Sequence, residues 1–114
     1  MPPRKNPLKL NALQLRTLTL LQALAALPDF AEPDAESGGM RIRALPHIHG
    51  DHFHVGNHVV LARDATGLDN PAVWVALTRK GLIRPYADGS YAVTPDGMAY
   101  DTGMREAILH GSDH

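Results

Sequence analysis

The leucines at the start of the chain follow a helical repeat. They fall on one broad arc at 3.6 residues per turn: Leu10, Leu13, Leu20, Leu21, Leu24 and Leu27. The opposite side of the same projection holds Asn11, Arg16, Thr19 and Gln22, together with Leu15. Asn6-Pro7 is a typical helix start, because asparagine can accept from a free backbone N–H and proline leaves no N–H unpaired. The pattern predicts an amphipathic helix from Asn6-Pro7 to about Leu27, with its polar side facing solvent.

Residues 28–39 interrupt this periodicity. The segment is acidic and contains Pro33 and the run Ser37-Gly38-Gly39, which predicts a flexible connector. The alternation of apolar and polar side chains from Met40 to Leu45 then predicts a strand with one apolar face.

Two further helices are predicted in the middle of the chain. Asn57 suits the N-cap of a helix through about Ala65, ended by Gly67. Asn70-Pro71 repeats the helix-start signal and predicts a helix over 72–80, closed by Gly81.

The last third of the chain predicts a hairpin and a terminal helix. Asp88-Gly89 suits a two-residue turn in a hairpin over 82–94, because both turn positions require positive φ. Thr94-Pro95 then predicts a helix to about Leu109, weakened by Gly97 and Gly103, with 110–114 as a tail.

The stretch from His58 to Ile83 reads HVVLARDATGLDNPAVWVALTRKGLI and is followed by the hairpin and by Val93-Thr94-Pro95-Asp96-Gly97. Over residues 57–98 this resembles the winged helix-turn-helix domain of bacterial transcriptional regulators. The resemblance implies one α+β domain over 1–114, with an N-terminal helix, short β-hairpins and a C-terminal helix. It also implies that the third helix enters the major groove of DNA while the hairpin, the wing, touches the backbone or the minor groove.

Position by position, the resemblance assigns DNA contacts to six residues: Asn70, Trp74, Thr78, Arg79, Lys80 and Arg84. The outward face of the same helix also carries Ala72 and Val75, where base-reading members tend to have side chains that bond base edges. An exposed tryptophan is also a frequent anchor of protein interfaces. A winged helix that binds a protein, or a second copy of itself, without binding DNA is therefore the alternative.

Length and composition limit the other possibilities. The 114 residues suffice for one domain, and the absence of cysteine excludes disulfides, thiolate zinc sites and cysteine nucleophiles. The formal net charge is −1, so the chain lacks the strong basic surplus of most nucleic-acid binders. Polar residues interrupt the leucine-rich start, which argues against a membrane span or a signal peptide, and we expect a cytoplasmic protein.

Five of the seven histidines lie between positions 47 and 58. A hairpin turning at Gly50-Asp51 would place His49 opposite His52 and His47 opposite His54, with all four imidazoles on one face. Such a face predicts a site for zinc, or for nickel or copper. A solvated polar face, or a pH-sensitive or phosphate-contacting face, remains open.

The same segment carries a second resemblance. His47-Ile48-His49-Gly50-Asp51-His52 matches the His-x-His-x-Asp-His motif of the metallo-β-lactamase superfamily. The resemblance implies that His47 and His49 hold one ion, and that Asp51 and His52 hold another, so that metal-bound hydroxide attacks the substrate.

The further ligands and the longer fold of that superfamily are missing, so a hydrolase is the remote alternative. We expect a non-enzymatic, dimeric DNA-binding regulator that responds to a metal.

Overall fold

The computed structural model describes residues 6–48 and 50–111, which form a mixed α+β arrangement. The helices are α1 (Ala12–Ala25), α2 (Pro71–Arg79), α3 (Pro95–Ala99) and α4 (Arg105–Ile108). The strands are β1 (Ala31–Pro33), β2 (Met40–Ile42), β3 (His52–Val55), β4 (His58–Leu61), β5 (Ile83–Pro85), β6 (Tyr91–Val93) and β7 (His110–Gly111). They form two antiparallel sheets, of order β1-β2-β6-β5 and β3-β4-β7. The predicted α+β class is confirmed.

Helix α1 begins later than predicted. Asn11 is the N-cap, and a reciprocal capping box joins it to Gln14: the Asn11 side chain accepts from the Gln14 N–H at 2.8 Å, and Gln14 Oε1 accepts from the Asn11 N–H at 3.0 Å. The predicted start at Asn6-Pro7 is wrong because the Asn6 side chain bonds both backbone groups of Leu10, at 2.8 and 3.1 Å. Lys9 has a φ of 56° in this turn, which a helix does not permit.

The predicted solvent face of α1 is wrong for Thr19 and Gln22, since residues 17–25 are all buried, whereas Asn11 is exposed. The Thr19 hydroxyl donates to the Leu15 carbonyl at 2.8 Å and shares a 2.6 Å hydrogen bond with the Thr102 hydroxyl. The Gln22 amide donates to the carbonyls of Gly97 and Tyr100, both at 2.8 Å. The chain after β6 therefore covers the polar side of α1 and supplies its hydrogen-bond partners.

The acidic segment 28–39 is a hairpin and not a flexible connector. Strand β1 pairs with β2 from Ala31↔Ile42 to Pro33↔Met40. The loop between them is closed by hydrogen bonds from the Asp34 N–H to Gly39 and from the Gly38 N–H to Asp34, each 2.9 Å. A Cβ on Gly39 would lie 1.9 Å from the Val93 carbonyl oxygen, so this hairpin packs directly on β6. The predicted strand from Met40 is confirmed only to Ile42.

The helix predicted over 57–65 is wrong. Residues His58–Leu61 form β4, which pairs with β3 across a turn in which Gly56 has a φ of 59°. Two 3-10 turns follow, Ala62–Asp64 and Thr66–Asp69. The β-branched pair Val59-Val60 suits a strand, and Val60 is fully buried there. The first helix of the predicted helix-turn-helix is thus replaced by a strand and two short turns.

The next helix is confirmed as α2. Asn70 caps it by accepting from the Ala72 N–H at 3.0 Å, and Pro71 occupies its first turn. Val73 and Leu77 are buried, which fixes the side of α2 that faces the core. Lys80 and Gly81 end the helix, with a φ of 75° at Gly81.

The hairpin that follows is confirmed as β5 and β6, but its turn differs from the prediction. Tyr86 and Ser90 are joined by a backbone hydrogen bond of 2.8 Å, so three residues, not two, form the tip. Gly89 has a φ of 90°, as expected for a type I turn followed by a left-handed residue. Strand β6 also pairs with β2, which joins the two hairpins into one sheet.

The single terminal helix predicted from Thr94-Pro95 to Leu109 is wrong in its middle. Thr94 caps α3 as expected, but the chain leaves the helix at Tyr100, and Gly103 has a φ of 69° before α4 begins. His110–Gly111, predicted as tail, pairs with β4 as β7, whereas 112–114 lie outside the described residues.

The hydrophobic core is centred on α1. Its largest fully buried apolar side chains are Leu18, Leu20, Leu21, Leu24, Leu77, Leu82, Ile108, Val55, Val60 and Val93. Both sheets contribute to it, because Ile42 and Val93 come from the four-stranded sheet and Phe53 and Val55 from the three-stranded one. Within 6–48 and 50–111, no helix has the length and apolarity that crossing a bilayer requires.

The buried amide of Gln22 gives a direct test of this packing. Gln22→Met keeps the side-chain volume but leaves the Gly97 and Tyr100 carbonyls without their donor, so we expect the free energy of unfolding to fall by about 2–4 kcal/mol. Gln14→Met, the same exchange at the exposed start of α1, should cost under about 1 kcal/mol because it removes only a cap contact. Urea denaturation followed by circular dichroism measures both. Equal losses in the two variants would contradict the burial of Gln22.

Candidate functional site

The exposed side of α2 is short and mostly apolar. Ala72, Val75 and Arg79 lie along it at helical spacing and are all exposed, with Val75 at 48%. Lys80 follows at the end of the helix and is also exposed. Among the described residues, neither Arg79 nor Lys80 has an acidic partner within salt-bridge distance. Of the six predicted DNA contacts, Arg79 and Lys80 are the two that are exposed.

Trp74 fastens α2 to the hairpin. Its indole N–H donates to the Leu68 carbonyl at 3.0 Å, and its ring packs on Tyr91 of β6 with centroids 4.7 Å apart and planes tilted by 38°. The Thr78 hydroxyl donates to the Trp74 carbonyl at 2.8 Å. The side chains of Trp74, Thr78 and the N-cap Asn70 are therefore engaged within the protein, in contrast to the base contacts that the resemblance implied.

Arg84 is also held by the protein. Its guanidinium donates to the Glu36 carbonyl at 3.2 Å and to the Glu36 carboxylate at 3.3 Å. Its Cζ lies 5.2 Å from the centre of the Tyr86 ring, and Arg41 lies over the same ring at 4.1 Å. Arg41 is fixed in turn by Asp88 and Ser90, both at 3.0 Å. The predicted phosphate contact of Arg84 would have to compete with this pairing.

The phenol of Tyr86 completes a polar cluster on the outer face of the four-stranded sheet. Its hydroxyl donates to the carboxylate of Asp34, which is itself buried in the first hairpin. Hydrogen bonds from Ser37 and Tyr86 lower the pKa of Asp34, and the bond to Asp34 raises the pKa of Tyr86. We call Asp34, Arg41, Arg84 and Tyr86, with Glu36 and Asp88, the Tyr86 cluster. It joins the β1–β2 and β5–β6 hairpins and sets two arginines among three carboxylates.

Two shallow apolar hollows lie on either side of the Trp74–Tyr91 pair. One, of about 510 Å³, reaches from Trp74 to Leu45, which is 45% exposed. The other, of about 310 Å³, lies between Trp74, Leu68 and Val75. Together they form an exposed groove beside α2, which we call the α2 groove. Its open apolar side chains suit a protein surface better than a phosphate backbone.

The predicted histidine hairpin is wrong. Its turn was expected at Gly50-Asp51, whereas the chain turns at Gly56. Strand β3 pairs with β4 across this turn, from His52↔Leu61 to Val55↔His58. The sequence His-Phe-His-Val pairs better with the β-branched strand that follows it than with the proline-containing segment before it. His47 therefore does not face His54 across a ladder, and His49 lies outside the described residues.

The structure brings His52 and His54 together along one strand instead. Both are exposed on the same face of β3, with ring centroids 5.7 Å apart and planes at 79°. Asp51 Oδ1 lies 3.0 Å from His52 Nδ1, and this hydrogen bond lowers the pKa of Asp51. His47 lines the same hollow, of about 380 Å³, as His52 and His54.

Metal binding stays a prediction. In the part of the chain that the structure describes, no three histidine, aspartate or glutamate side chains form a metal-binding group. His58 lies opposite Val55, on the other side of the sheet from His54. The two-ion arrangement implied by the hydrolase motif likewise stays a prediction, since His49 falls outside the description.

Sequence reasoning missed Tyr86 and Tyr91, which organise the site from the two ends of the hairpin tip. Aromatic residues flanking a turn were the available signal.

Comparisons of the chain with protein-family models, with curated proteins and with solved structures gave no match.

The lowered pKa of Asp34 predicts a loss of stability in acid. A carboxyl whose pKa is lower in the folded state stabilises the fold when it is ionised, and this contribution disappears as the pH falls below about 4. Asp34→Asn should therefore be less stable than the wild type at neutral pH and should lose less stability between neutral pH and about pH 3.

Urea denaturation at several pH values measures this, with Asp29→Asn at an exposed acid as the matched control. The control should follow the wild type. A pH profile of Asp34→Asn that parallels the wild type would contradict the role of Asp34.

Proposed function

We propose that this chain is a small DNA-binding protein that docks α2 and the β5–β6 hairpin on duplex DNA and holds it mainly through phosphate contacts. The observation that carries the proposal is the placement of α2. It lies immediately before a hairpin to which Trp74 and Tyr91 fasten it, and it ends in two exposed cations that have no salt-bridge partner among the described residues. Of the helix-turn-helix that the sequence resembles, the structure keeps the second helix as α2 and the hairpin after it but has a strand in place of the first helix, so the proposal depends on α2 and the hairpin and not on the fold.

A docking element must keep its shape when it meets the duplex. The indole–carbonyl bond from Trp74 to Leu68 and the Trp74–Tyr91 packing join α2, the turn before it and the hairpin. Val73 and Leu77 hold the inner side of α2 in the core. These contacts make α2 and the hairpin one rigid unit, which reduces the conformational entropy lost on binding.

The side chains that α2 offers predict weak discrimination between sequences. The major groove admits a helix, and Ala72 and Val75 can contact thymine methyl groups there. Neither side chain bonds a base edge, whereas Arg79 and Lys80 suit phosphates. We therefore infer binding that depends strongly on salt and only modestly on base sequence.

The α2 groove favours a second candidate function, the docking of a protein. Leu45 and Val75 are 45% and 48% exposed, and the Trp74–Tyr91 pair lies between them. A partner that presents apolar side chains, including a second copy of this chain, would bury this pair at the centre of the contact. Such binding would depend on Val75 and little on salt.

Fluorescence anisotropy with a labelled random-sequence duplex tests the first candidate. We expect the wild type to bind at low salt, and Arg79→Ala/Lys80→Ala to weaken binding by roughly ten- to a hundredfold at ~0.1 M salt, with a salt slope reduced by about 2. The matched control is Arg63→Ala/Arg105→Ala, which removes two exposed cations outside α2 and the hairpin. It should keep most of the wild-type affinity.

Equal losses in both double variants would contradict docking through α2. If the wild type does not bind the duplex even at low salt, DNA binding is wrong. Sedimentation of the wild type and of Val75→Glu then tests self-association: a salt-insensitive complex that Val75→Glu abolishes supports docking at the α2 groove.

A further inference from the structure

We infer that strand β3 carries a site for a divalent transition-metal ion of the copper, nickel or zinc class, with the imidazoles of His52 and His54 as its protein ligands. The site lies on the three-stranded sheet. The site uses no residue of α2 or of the β5–β6 hairpin. The inference is therefore independent of whether the chain binds DNA.

Strand geometry fixes the two ligands. His52 and His54 are two residues apart, so both point to the exposed face of β3. Phe53 and Val55 point the other way and are 4% and 1% exposed, which anchors the strand in the core. The two imidazoles are thus held on a rigid backbone while their rings stay accessible to an ion.

The ring separation fits one shared ion. Two imidazoles that bind a tetrahedral metal at N–metal distances of about 2.0–2.1 Å have ring centres roughly 5 Å apart. The rings of His52 and His54 are 5.7 Å apart. Since both side chains are exposed, small χ rotations close this difference without disturbing the core.

Asp51 acts as a positioning residue for His52. Its carboxylate lies 3.0 Å from His52 Nδ1, so it accepts a hydrogen bond from the tautomer that carries its proton there. That tautomer leaves the lone pair of Nε2 free for a metal, and a carboxylate behind a ligating histidine is the common arrangement in metal sites. The Asp51 carbonyl accepts from the Ala62 N–H at 2.8 Å, which fixes the backbone at this position.

The surroundings are consistent with a partly sheltered ion. His52 and His54 line a hollow of about 380 Å³ whose other walls include Phe30 and Pro46. His47 lines the same hollow, but among the described residues no three side chains form a metal-binding group, so we assign two positions of the ion to His52 and His54 and the remaining ones to water. With two neutral nitrogen ligands, the affinity should follow the usual order, in which copper exceeds both nickel and zinc.

The test is a calorimetric titration of the full chain, freed of metal by a chelator, with copper, nickel and zinc salts in turn. We expect one ion per chain, and at least a tenfold loss of affinity in His52→Ala and in His54→Ala. His58→Ala, on the other side of the sheet, is the matched control and should bind as the wild type does. Wild-type affinity in His52→Ala or His54→Ala, or an equal loss in His58→Ala, would overturn the site.

The role of Asp51 needs its own readout. Asp51→Ala should weaken binding about tenfold. Long-range ¹H–¹⁵N correlation spectra of the metal-free protein should show the proton of His52 on Nδ1 in the wild type, and a mixture of tautomers in Asp51→Ala. Unchanged affinity and unchanged tautomer in this variant would overturn the positioning role. Circular dichroism of each variant checks the fold, which the exposed substitutions at 51, 52 and 54 should leave intact.

Discussion

Helix α1 is buried on every side over its last nine residues, and the rest of the molecule is arranged to satisfy it. Leucines fill the apolar part of its surface, but Thr17, Thr19 and Gln22 are buried as well. A buried amide or hydroxyl costs free energy unless it finds a partner. The Thr17 hydroxyl donates to the Leu13 carbonyl within the helix, whereas Thr19 and Gln22 bond elements far away in sequence. The carbonyls of Gly97 and Tyr100 and the hydroxyl of Thr102 supply these partners from beyond β6.

Close packing selects glycine at two positions, one against α1 and one against the residue before β5. A Cβ on Gly67 would lie 1.9 Å from Thr17 Oγ1, which lets the 3-10 turn before α2 rest directly on α1. A Cβ on Gly97 would lie 2.0 Å from the Leu82 carbonyl oxygen, which lets α3 close over the start of β5. The position of α2, and with it the candidate interface, therefore depends on how tightly these neighbours pack around α1.

Local signals predicted the elements that depend on local chemistry. Asn70-Pro71 gave the start of α2, because the cap and the proline act within one turn. The same signal failed at Asn6-Pro7, where Asn6 bonds Leu10 and the capping box at Asn11 starts the helix. The segment His58–Leu61, predicted as helix, forms a strand because it pairs with β3. Tertiary contacts of this kind decide between helix and strand, and they are not visible in the local sequence.

The candidate site shows the same division. The residue types on α2 and the density of histidines were visible in the sequence, but their partners were not. Asp34 and Tyr86 are 52 positions apart, and Glu36 and Arg84 are 48 apart, so composition alone made 28–39 resemble a free acidic segment. Likewise, β3 pairs with the strand that follows it and not with the segment before it. The predicted face of histidines on two paired strands is therefore replaced by His52 and His54 along one strand.

The two outer strands of the four-stranded sheet share one feature, since both β1 and β5 end in a proline. Proline has no N–H to donate, so neither edge offers a complete row of donors to an incoming strand. Lengthening of this sheet by β-augmentation, whether from another copy or from an extended peptide, is thereby disfavoured. A partner of this sheet is therefore expected to bind through side chains and surface shape and not through backbone pairing at either edge.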